Sequence, residues 1–303
     1  MSGGKPLQPK AWAARLSRLL DITGGPGASR FPVDVAGLAV GFSTDNPDYR
    51  DDPVLGASQG DIGPVDGCLM ASESGAGWAI LVSDGIRSPG RVRHTQAHEL
   101  GHYLLHRDIA RRTGAIRCSA RDIAAGQDAL RGIEREADAF ATGLLMPFDD
   151  FRRQIGENEA PDMHRLSDVA GRYGTSLVST SLRWLEVTGK RALVVAADDD
   201  FVLWARSSRA ALRTGNWIKA SSGPPVEAPQ GSLLAAGNQN LAGIRHRGEV
   251  WFGEAAIETC LVPDNYDFRL SIVILDDRER AIEDEDEDTM AEAVDTRFRN
   301  RWS

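Results

Sequence analysis

Four of the six histidines in this sequence lie in one stretch, residues 91–106 (RVRHTQAHELGHYLLH), each four residues from the next. Within it, His98-Glu99-Leu100-Gly101-His102 matches the pattern HExxH. On an α-helix, side chains four residues apart share one face and lie ~6 Å apart along the axis. His98 and His102 can therefore bind one metal ion, and neutral imidazole is a common ligand of Zn²⁺.

Glu99 lies about 100° around the helix from His98, just beside the face that carries the two histidines. From that position its carboxylate can reach a water molecule at the metal without displacing a ligand. Two imidazole ligands, a general base and an open coordination position are what a metallohydrolase requires. The pattern therefore predicts His98 and His102 as metal ligands and Glu99 as the catalytic base.

A second predicted helix, from about residue 130 to 145, supplies a third ligand, as catalytic zinc sites usually require. Glu134 and Asp138 are four residues apart and share one face of this helix. Glu134 is the candidate ligand, and Asp138 is expected to accept a hydrogen bond from the outer nitrogen of a ligating histidine. Glu136 points to another side and is predicted to be a solvent-exposed or salt-bridging residue. Zn²⁺ and Mn²⁺ both suit two histidines and one carboxylate.

The outer histidines of the stretch are not expected to bind the same ion, because four side chains spread over ~18 Å cannot converge on one point. His94 is predicted to be structural, and His106 to pack near the site or to contact a ligand. A further donor is expected beside the reacting carbonyl oxygen. Tyr173, Tyr103, His106 and His164 are the candidates for this oxyanion or substrate contact, and the pattern does not choose among them.

The segments around these motifs predict an α+β protein. Residues 9–22 have the apolar spacing of an amphipathic helix, and a short element is expected within 33–42, surrounded by loops that extend to 64. The apolar runs at 67–72 and 77–83 predict a β-hairpin, and the helix with HExxH should begin near Pro89. In this arrangement the edge strand of the hairpin is expected to bind a peptide substrate as an added strand.

The second half of the chain changes character. Residues 165–189 have helix–turn–helix spacing, and after Lys190 the runs RALVVAA, FVLWARS, EVWFGEA and LSIVILDD are typical of strands. The predicted domains are a metallopeptidase domain at 1–164, a helix–turn–helix-like segment at 165–189, a strand-rich domain at 190–280 and an acidic tail at 281–303.

Composition limits the function classes. The chain has 303 residues, 42% hydrophobic and 26% charged, as in globular proteins. The net charge is −9, and six of the negative charges lie at 283–288. Such a chain is not expected to coat nucleic acid or an anionic membrane, and the predicted recognition helix offers one base-reading cation, Arg183. DNA binding is therefore not expected. Three scattered cysteines, together with the lack of a signal peptide or long apolar stretch, favour the cytoplasm.

The stretches 91–106 and 134–147 (EREADAFATGLLMP) resemble the ImmA/IrrE family of metallopeptidases. Members typically show AHELGH followed by E-x-x-AN-x-FA-x-x-LLMP, and the resemblance extends over roughly residues 30–188. Asp138 stands where the family usually has Asn, so that Glu134 and Asp138 also look like the ExxxD pair of thermolysin-like zincins. His94 stands where the family often has Phe, which argues further against His94 as a ligand.

The resemblance implies a zincin-like minimal core consisting of the active-site helix, a small sheet and the second ligand helix. It also implies site-specific cleavage of a protein, typically a helix–turn–helix transcriptional repressor, in a stress, DNA-damage or phage and mobile-element response. The last third of the chain would then be a GAF-like sensory domain. The alternative is a DNA-binding or ligand-sensing regulator that carries an inactive peptidase-like domain.

Overall fold

The computed structural model describes residues 8–24, 29–113, 115–118, 128–220, 224–263 and 267–277, with side chains omitted at 117–118 and 128–130. The predicted acidic tail lies outside these residues. The fold is α+β, as expected, and it contains two compact units. The first comprises the described residues up to Phe148 together with Arg172–Ser176, and the second comprises Asp149–Gly171 and the described residues from Leu177 onward. The domain limits near residues 164 and 189 stay a prediction.

The first unit contains four helices in its described residues, and they follow the predicted order. They are α1 (Pro9–Thr23), α2 (Val35–Asp45), α3 (Pro89–Thr113) and α4 (Asp128–Leu145). The short element expected within 33–42 is α2, and it begins where Asp34 accepts a hydrogen bond from the Gly37 amide at 3.0 Å. A side-chain cap of this kind satisfies one of the amides that a helix start leaves without an intrahelical partner. Among the described residues, no helix combines the length and apolar composition needed to cross a lipid bilayer.

The sheet of the first unit has the strand order β1-β3-β2-β4. The predicted hairpin is confirmed, because β2 and β3 pair in antiparallel register with Leu69 opposite Ile80. β1 pairs with β3 in parallel, and β4 pairs with β2 in antiparallel orientation. The strands are β1 (Val54–Gly60), β2 (Gly67–Ala71), β3 (Trp78–Ser83) and β4 (Ala115–Cys118).

Two expectations about this sheet are wrong. Residues 54–60 were expected to be loop, because the stretch 43–64 is rich in Gly, Pro and Asp, but they form β1 through backbone pairing with β3. Both hairpin strands are interior, so neither is the edge strand that was expected to bind substrate. Among the described strands of this sheet, the edges are β1 and β4, which local sequence patterns did not identify.

Helix α3 is buried on all sides over its central turns. Every residue from Ala97 to Leu104 is buried, because the helix packs against strands β2 and β3 and against α4. Gly101 permits the close approach of α4: a Cβ at that position would lie 3.0 Å from Cδ1 of Phe140 and 3.2 Å from Cα of Ala137. The glycine of the HExxH segment is therefore a packing residue.

An aromatic cluster holds α1, α2 and α3 together. The rings of Trp12, Phe42, Tyr49 and Tyr103 contact one another in sequence, with centroid distances of 6.0, 5.3 and 5.7 Å between successive rings. The Tyr103 hydroxyl donates to the backbone carbonyl of Asp52 at 2.8 Å, and burial raises the pKa of this phenol. Tyr103, one of the candidate oxyanion donors, thus has its hydroxyl directed at a backbone acceptor within this cluster.

The second unit contains a five-stranded antiparallel sheet with the order β6-β5-β9-β8-β7. The predicted turn of the helix–turn–helix-like segment falls at Gly174, a residue of the first unit with a φ of 60°. The strands are β5 (Ala192–Ala197), β6 (Val202–Ser207), β7 (Asn240–Trp251), β8 (Glu254–Leu261) and β9 (Arg269–Leu275). The remaining described helices are α5 (Phe148–Gln154), α6 (Met163–Tyr173), α7 (Leu177–Val187), α8 (Arg209–Arg213) and α9 (Leu233–Ala236).

The run EVWFGEA was expected to be one strand, but it contains the turn of the β7–β8 hairpin. Phe252 and Gly253 have φ values of 55° and 70°, which makes a two-residue turn with both residues in the left-handed region. Such turns normally carry Asn, Asp or Gly, and an aromatic residue is rarely found there. The apolar residues continue through this turn, so the sequence pattern predicted one continuous strand.

A buried carboxylate joins several elements of this second unit. Glu258 on β8 is fully buried and accepts hydrogen bonds from the backbone amides of Leu233 and Leu234, both at 3.0 Å. Its oxygens also lie 3.1 Å from the Trp251 indole nitrogen and 2.8 Å from Nε2 of His246. His246 is thus a partner of this carboxylate.

We predict that Gly101→Ala lowers the free energy of unfolding by about 1–3 kcal/mol, because the added methyl would force α3 and α4 apart. Gly132 on α4 is the matched control, since a Cβ there would meet no heavy atom within 4 Å. Gly132→Ala should be neutral or stabilising by up to about 1 kcal/mol. Urea denaturation of the metal-free proteins measures both changes, and equal midpoints for the two variants would contradict the packing role of Gly101.

Candidate metal centre

Three donor atoms from α3 and α4 converge in the first unit. Nε2 of His98 lies 3.0 Å from Nε2 of His102. The Glu134 carboxylate spans the pair, with Oε2 at 3.2 Å from His98 Nε2 and Oε1 at 3.3 Å from His102 Nε2. The two histidines are one helical turn apart on α3, and the close approach of α4 at Gly101 brings Glu134 to them.

This donor set fits a divalent metal ion. Bonds of about 2.0–2.1 Å in tetrahedral geometry would place neighbouring ligand atoms about 3.3–3.4 Å apart. The two nitrogens are 3.0 Å apart, and each has one oxygen of Glu134 at 3.2 or 3.3 Å, Oε2 for His98 and Oε1 for His102, which is close to that value. His98, His102 and Glu134 are all buried, and together they form a group that could hold a metal ion. Two imidazoles and one carboxylate suit Zn²⁺ and also Mn²⁺.

The protonation states of the ligands also favour a cation. Burial lowers the pKa of His102 to about 4, so at neutral pH its imidazole is uncharged and keeps a lone pair for coordination. Burial alone would raise the pKa of Glu134, but its hydrogen bonds with His102 and His98 outweigh that effect and hold the pKa well below its usual range. The cluster thus offers one ionised carboxylate and neutral imidazole.

Glu99 is fully buried and contacts the start of strand β2. A Cβ at Gly67 would lie 2.4 Å from Oε1 of Glu99 and 2.6 Å from Cγ2 of Thr95. Because residue 67 is glycine, the strand can pass directly beside the carboxylate. Gly67 is a site residue that sequence patterns did not identify. The sequence showed only a glycine at the start of a predicted strand. That observation is not specific, because glycine also occurs at bulges, bends and close backbone contacts in many other strands.

Asp138 lies behind His98, on the side away from the cluster. Its Oδ1 is 2.7 Å from Nδ1 of His98, which is the position that the predicted hydrogen bond requires. Nε2 of His94 lies 3.9 Å from the same oxygen, so His94 borders this carboxylate. A carboxylate at the outer nitrogen fixes which ring nitrogen carries the proton, and it leaves Nε2 of His98 to face the metal position.

His106 lies behind His102 in a comparable way. Its Nδ1 is 3.0 Å from Nδ1 of His102, and its Nε2 is 2.9 Å from Oε2 of Glu136. His106 therefore sits at the outer nitrogen of a candidate ligand, which favours a supporting role over an oxyanion contact. Glu136 is half-exposed and pairs with a histidine, within the range of roles expected for it.

The other candidate donors differ in their exposure. Tyr173 is buried, and its ring packs edge-on against Phe31 at a centroid distance of 4.8 Å. His164 is exposed on α6. In the predicted recognition helix, Arg183 is buried and pairs with Glu186. The one base-reading cation that this helix offers is therefore not presented to solvent.

Comparison with known proteins gives one family. Residues 68–185 match the family Peptidase_M78, described as the IrrE N-terminal-like domain, which confirms the resemblance to ImmA/IrrE proteins. No match is found among curated proteins. A solved structure described as a Mycobacterium tuberculosis transcriptional regulator is 13% identical, covers 87% of each chain and has a TM-score of 0.49. A likeness of that size supports no argument about function.

We predict that Glu134→Ala weakens Zn²⁺ binding by more than about 100-fold, because even the outer partners of ligands contribute about 10–100-fold to affinity. Glu73→Ala, which removes an exposed carboxylate from the β2–β3 connection, is the control and should bind as the unaltered protein does. Competition titration with a chromophoric chelator measures both. Equal affinities for the two variants would show that Glu134 is not a ligand.

Proposed function

We propose that the part of the chain containing residues 68–185, which matches the IrrE N-terminal-like peptidase family, is a metal-dependent endopeptidase with a zincin-like core. His98, His102 and Glu134 would hold Zn²⁺ or Mn²⁺, and Glu99 would be the general base. The observation that carries the proposal is the convergence of three buried donor atoms beside a buried HExxH glutamate. The complete ligand set also argues against the alternative of an inactive peptidase-like domain.

The chemistry divides between the ion and the protein. When bound, an ion of this kind polarises a peptide carbonyl and activates water for attack. Glu99 accepts the proton of the attacking water and then donates it to the amine nitrogen of the leaving fragment. Asp138 orients the His98 ring, and Gly67 leaves the space in which the Glu99 carboxylate is held. Positioning of this kind matters because a displacement of about 1 Å can cost about 100-fold in rate.

Strand β4 is the candidate site for an extended peptide substrate. It replaces the hairpin edge expected from the sequence, because among the described strands β4 is at the edge next to β2. In the β2–β4 register, residue 118 lies opposite Gly67, and Gly67 contacts the Glu99 carboxylate. A peptide that pairs with β4 would therefore run beside the end of the sheet at which Gly67 contacts Glu99, the proposed general base on α3.

The proposed substrate is a protein, and the family resemblance favours a helix–turn–helix repressor cleaved in a stress, DNA-damage or mobile-element response. The free thiols of Cys68 and Cys260 are compatible with the cytoplasm. The second unit is proposed to be sensory and GAF-like. This assignment rests on the family resemblance. An apolar core that includes Leu193, Val273 and Trp251 supports only the independent packing of the unit.

Glu99→Gln is expected to keep Zn²⁺ affinity and to lose at least about 100-fold in cleavage rate, because general acid–base catalysis typically contributes 10²–10⁴-fold. Repressors encoded near the gene would be co-expressed with each form, and new protein N-termini would be identified by mass spectrometry. Fragments should appear with the unaltered protein and be absent with the variant. Equal cleavage by a metal-loaded Glu99→Gln protein would exclude this mechanism.

Gly67→Ala should reduce the rate of cleavage by about 10–100-fold while Zn²⁺ remains bound, because the new methyl must displace the Glu99 carboxylate. Gly60→Ala on β1 is the matched control, since a Cβ there would meet nothing within 4 Å. The measurement is kcat of the two metal-loaded variants on the substrate that the co-expression experiment identifies. An unchanged kcat for Gly67→Ala would mean that the carboxylate tolerates displacement.

A further inference from the structure

We infer that His106 and Glu136 form a relay that fixes the proton position on His102 and thereby strengthens metal binding at its Nε2. The relay is defined as the contacts His102 Nδ1 to His106 Nδ1, at 3.0 Å, and His106 Nε2 to Glu136 Oε2, at 2.9 Å. The inference rests on the metal site of the proposed function and adds two residues to it.

Only one arrangement of protons satisfies both contacts when the carboxylate is ionised and His106 is neutral. An ionised carboxylate can only accept, so Nε2 of His106 must carry a proton and donate it to Glu136. A neutral His106 then has an unprotonated Nδ1, which accepts from the Nδ1–H of His102. Nε2 of His102 is consequently left with its lone pair, and this is the atom that faces His98 and Glu134.

The relay gives His102 the kind of support that His98 has directly. Nδ1 of His98 lies 2.7 Å from a carboxylate oxygen of Asp138, whereas Nδ1 of His102 reaches a carboxylate through one intervening imidazole. Both carboxylates come from α4, which also supplies Glu134. The outer nitrogen of each ligand histidine is therefore connected to an acidic residue of the same helix, directly for His98 and through His106 for His102.

Burial makes the inner part of the relay hard for water to replace. His102 is fully buried and His106 is 5% exposed, whereas the Glu136 side chain is 51% exposed. Removal of the His106 acceptor would leave the Nδ1–H of His102 in a dry environment, which is costly. Loss of the Glu136 charge can be compensated in part by solvent. The effect on metal affinity should therefore be graded, larger at His106 than at Glu136.

The test uses Zn²⁺ alone and competition with a chromophoric chelator. His106→Phe, which keeps a planar ring but has no acceptor, should lower the affinity by about 10–100-fold, the range typical of outer partners of ligands. His106→Gln should recover part of that loss through its amide oxygen, and Glu136→Gln should lose less than His106→Phe. His164→Phe, a histidine replacement at an exposed position, should leave the affinity unchanged.

A second measurement reports the protons themselves and does not depend on activity. In the metal-free protein labelled with ¹⁵N-histidine, nuclear magnetic resonance should show His106 protonated at Nε2 and His102 protonated at Nδ1. In Glu136→Gln the amide can donate as well as accept, so the strict preference of His106 for Nε2–H should be lost. A purely structural role for Glu136 would not change the proton positions.

The outcomes separate the relay from the metal site. If the unaltered protein binds no Zn²⁺, the proposed function fails and the relay fails with it. If the unaltered protein binds Zn²⁺ while Glu136→Gln shows the same affinity and the same His106 tautomer, the relay is overturned and the metal site stands. If His106→Phe does not fold, Glu136→Gln and His106→Gln decide the question by the same two measurements.

Discussion

The candidate site depends on the close packing of α3 against α4 at Gly101. Two histidines one turn apart define only two directions toward a metal position, and the third donor must come from a different element. A side chain at residue 101 would meet Phe140 and the backbone at Ala137, between the turns that carry Glu134 and Asp138. The absence of that side chain allows α4 to approach, and the acidic residues of α4 then reach the imidazoles.

The burial of α3 follows from the same packing and determines the chemistry. A central helix that carries His98, Glu99, His102 and His106 in its buried turns places polar groups where water does not solvate them. Such groups are costly unless they are paired, and each of the three histidines has a partner at a ring nitrogen. The low dielectric keeps imidazole neutral and strengthens its hydrogen bonds, and both effects favour coordination of a cation.

The parts of the site that depend on spacing within one helix could be predicted from the sequence, because helical geometry is local and regular. The positions of His98, Glu99 and His102, and the shared face of Glu134 and Asp138, are of this kind. Features that depend on pairing between distant segments could not. β1 forms because β3 is beside it, β4 makes the hairpin interior, and the role of Gly67 exists only where β2 passes α3. The burial of Arg183 could not be predicted either, because it depends on neighbours outside its own helix.

Acidic residues alternate along α4 at positions 134, 136 and 138, and each contacts the row of imidazoles at a different place. A shift of α4 by one residue would replace these three with Ile133, Arg135 and Ala137. That shift would remove all three carboxylates and bring a guanidinium toward the imidazoles. An insertion or deletion of a single residue in the first turns of α4 would therefore abolish the whole constellation at once. In homologous proteins this segment should vary by substitution, and differences in length should be confined to the connection that precedes it.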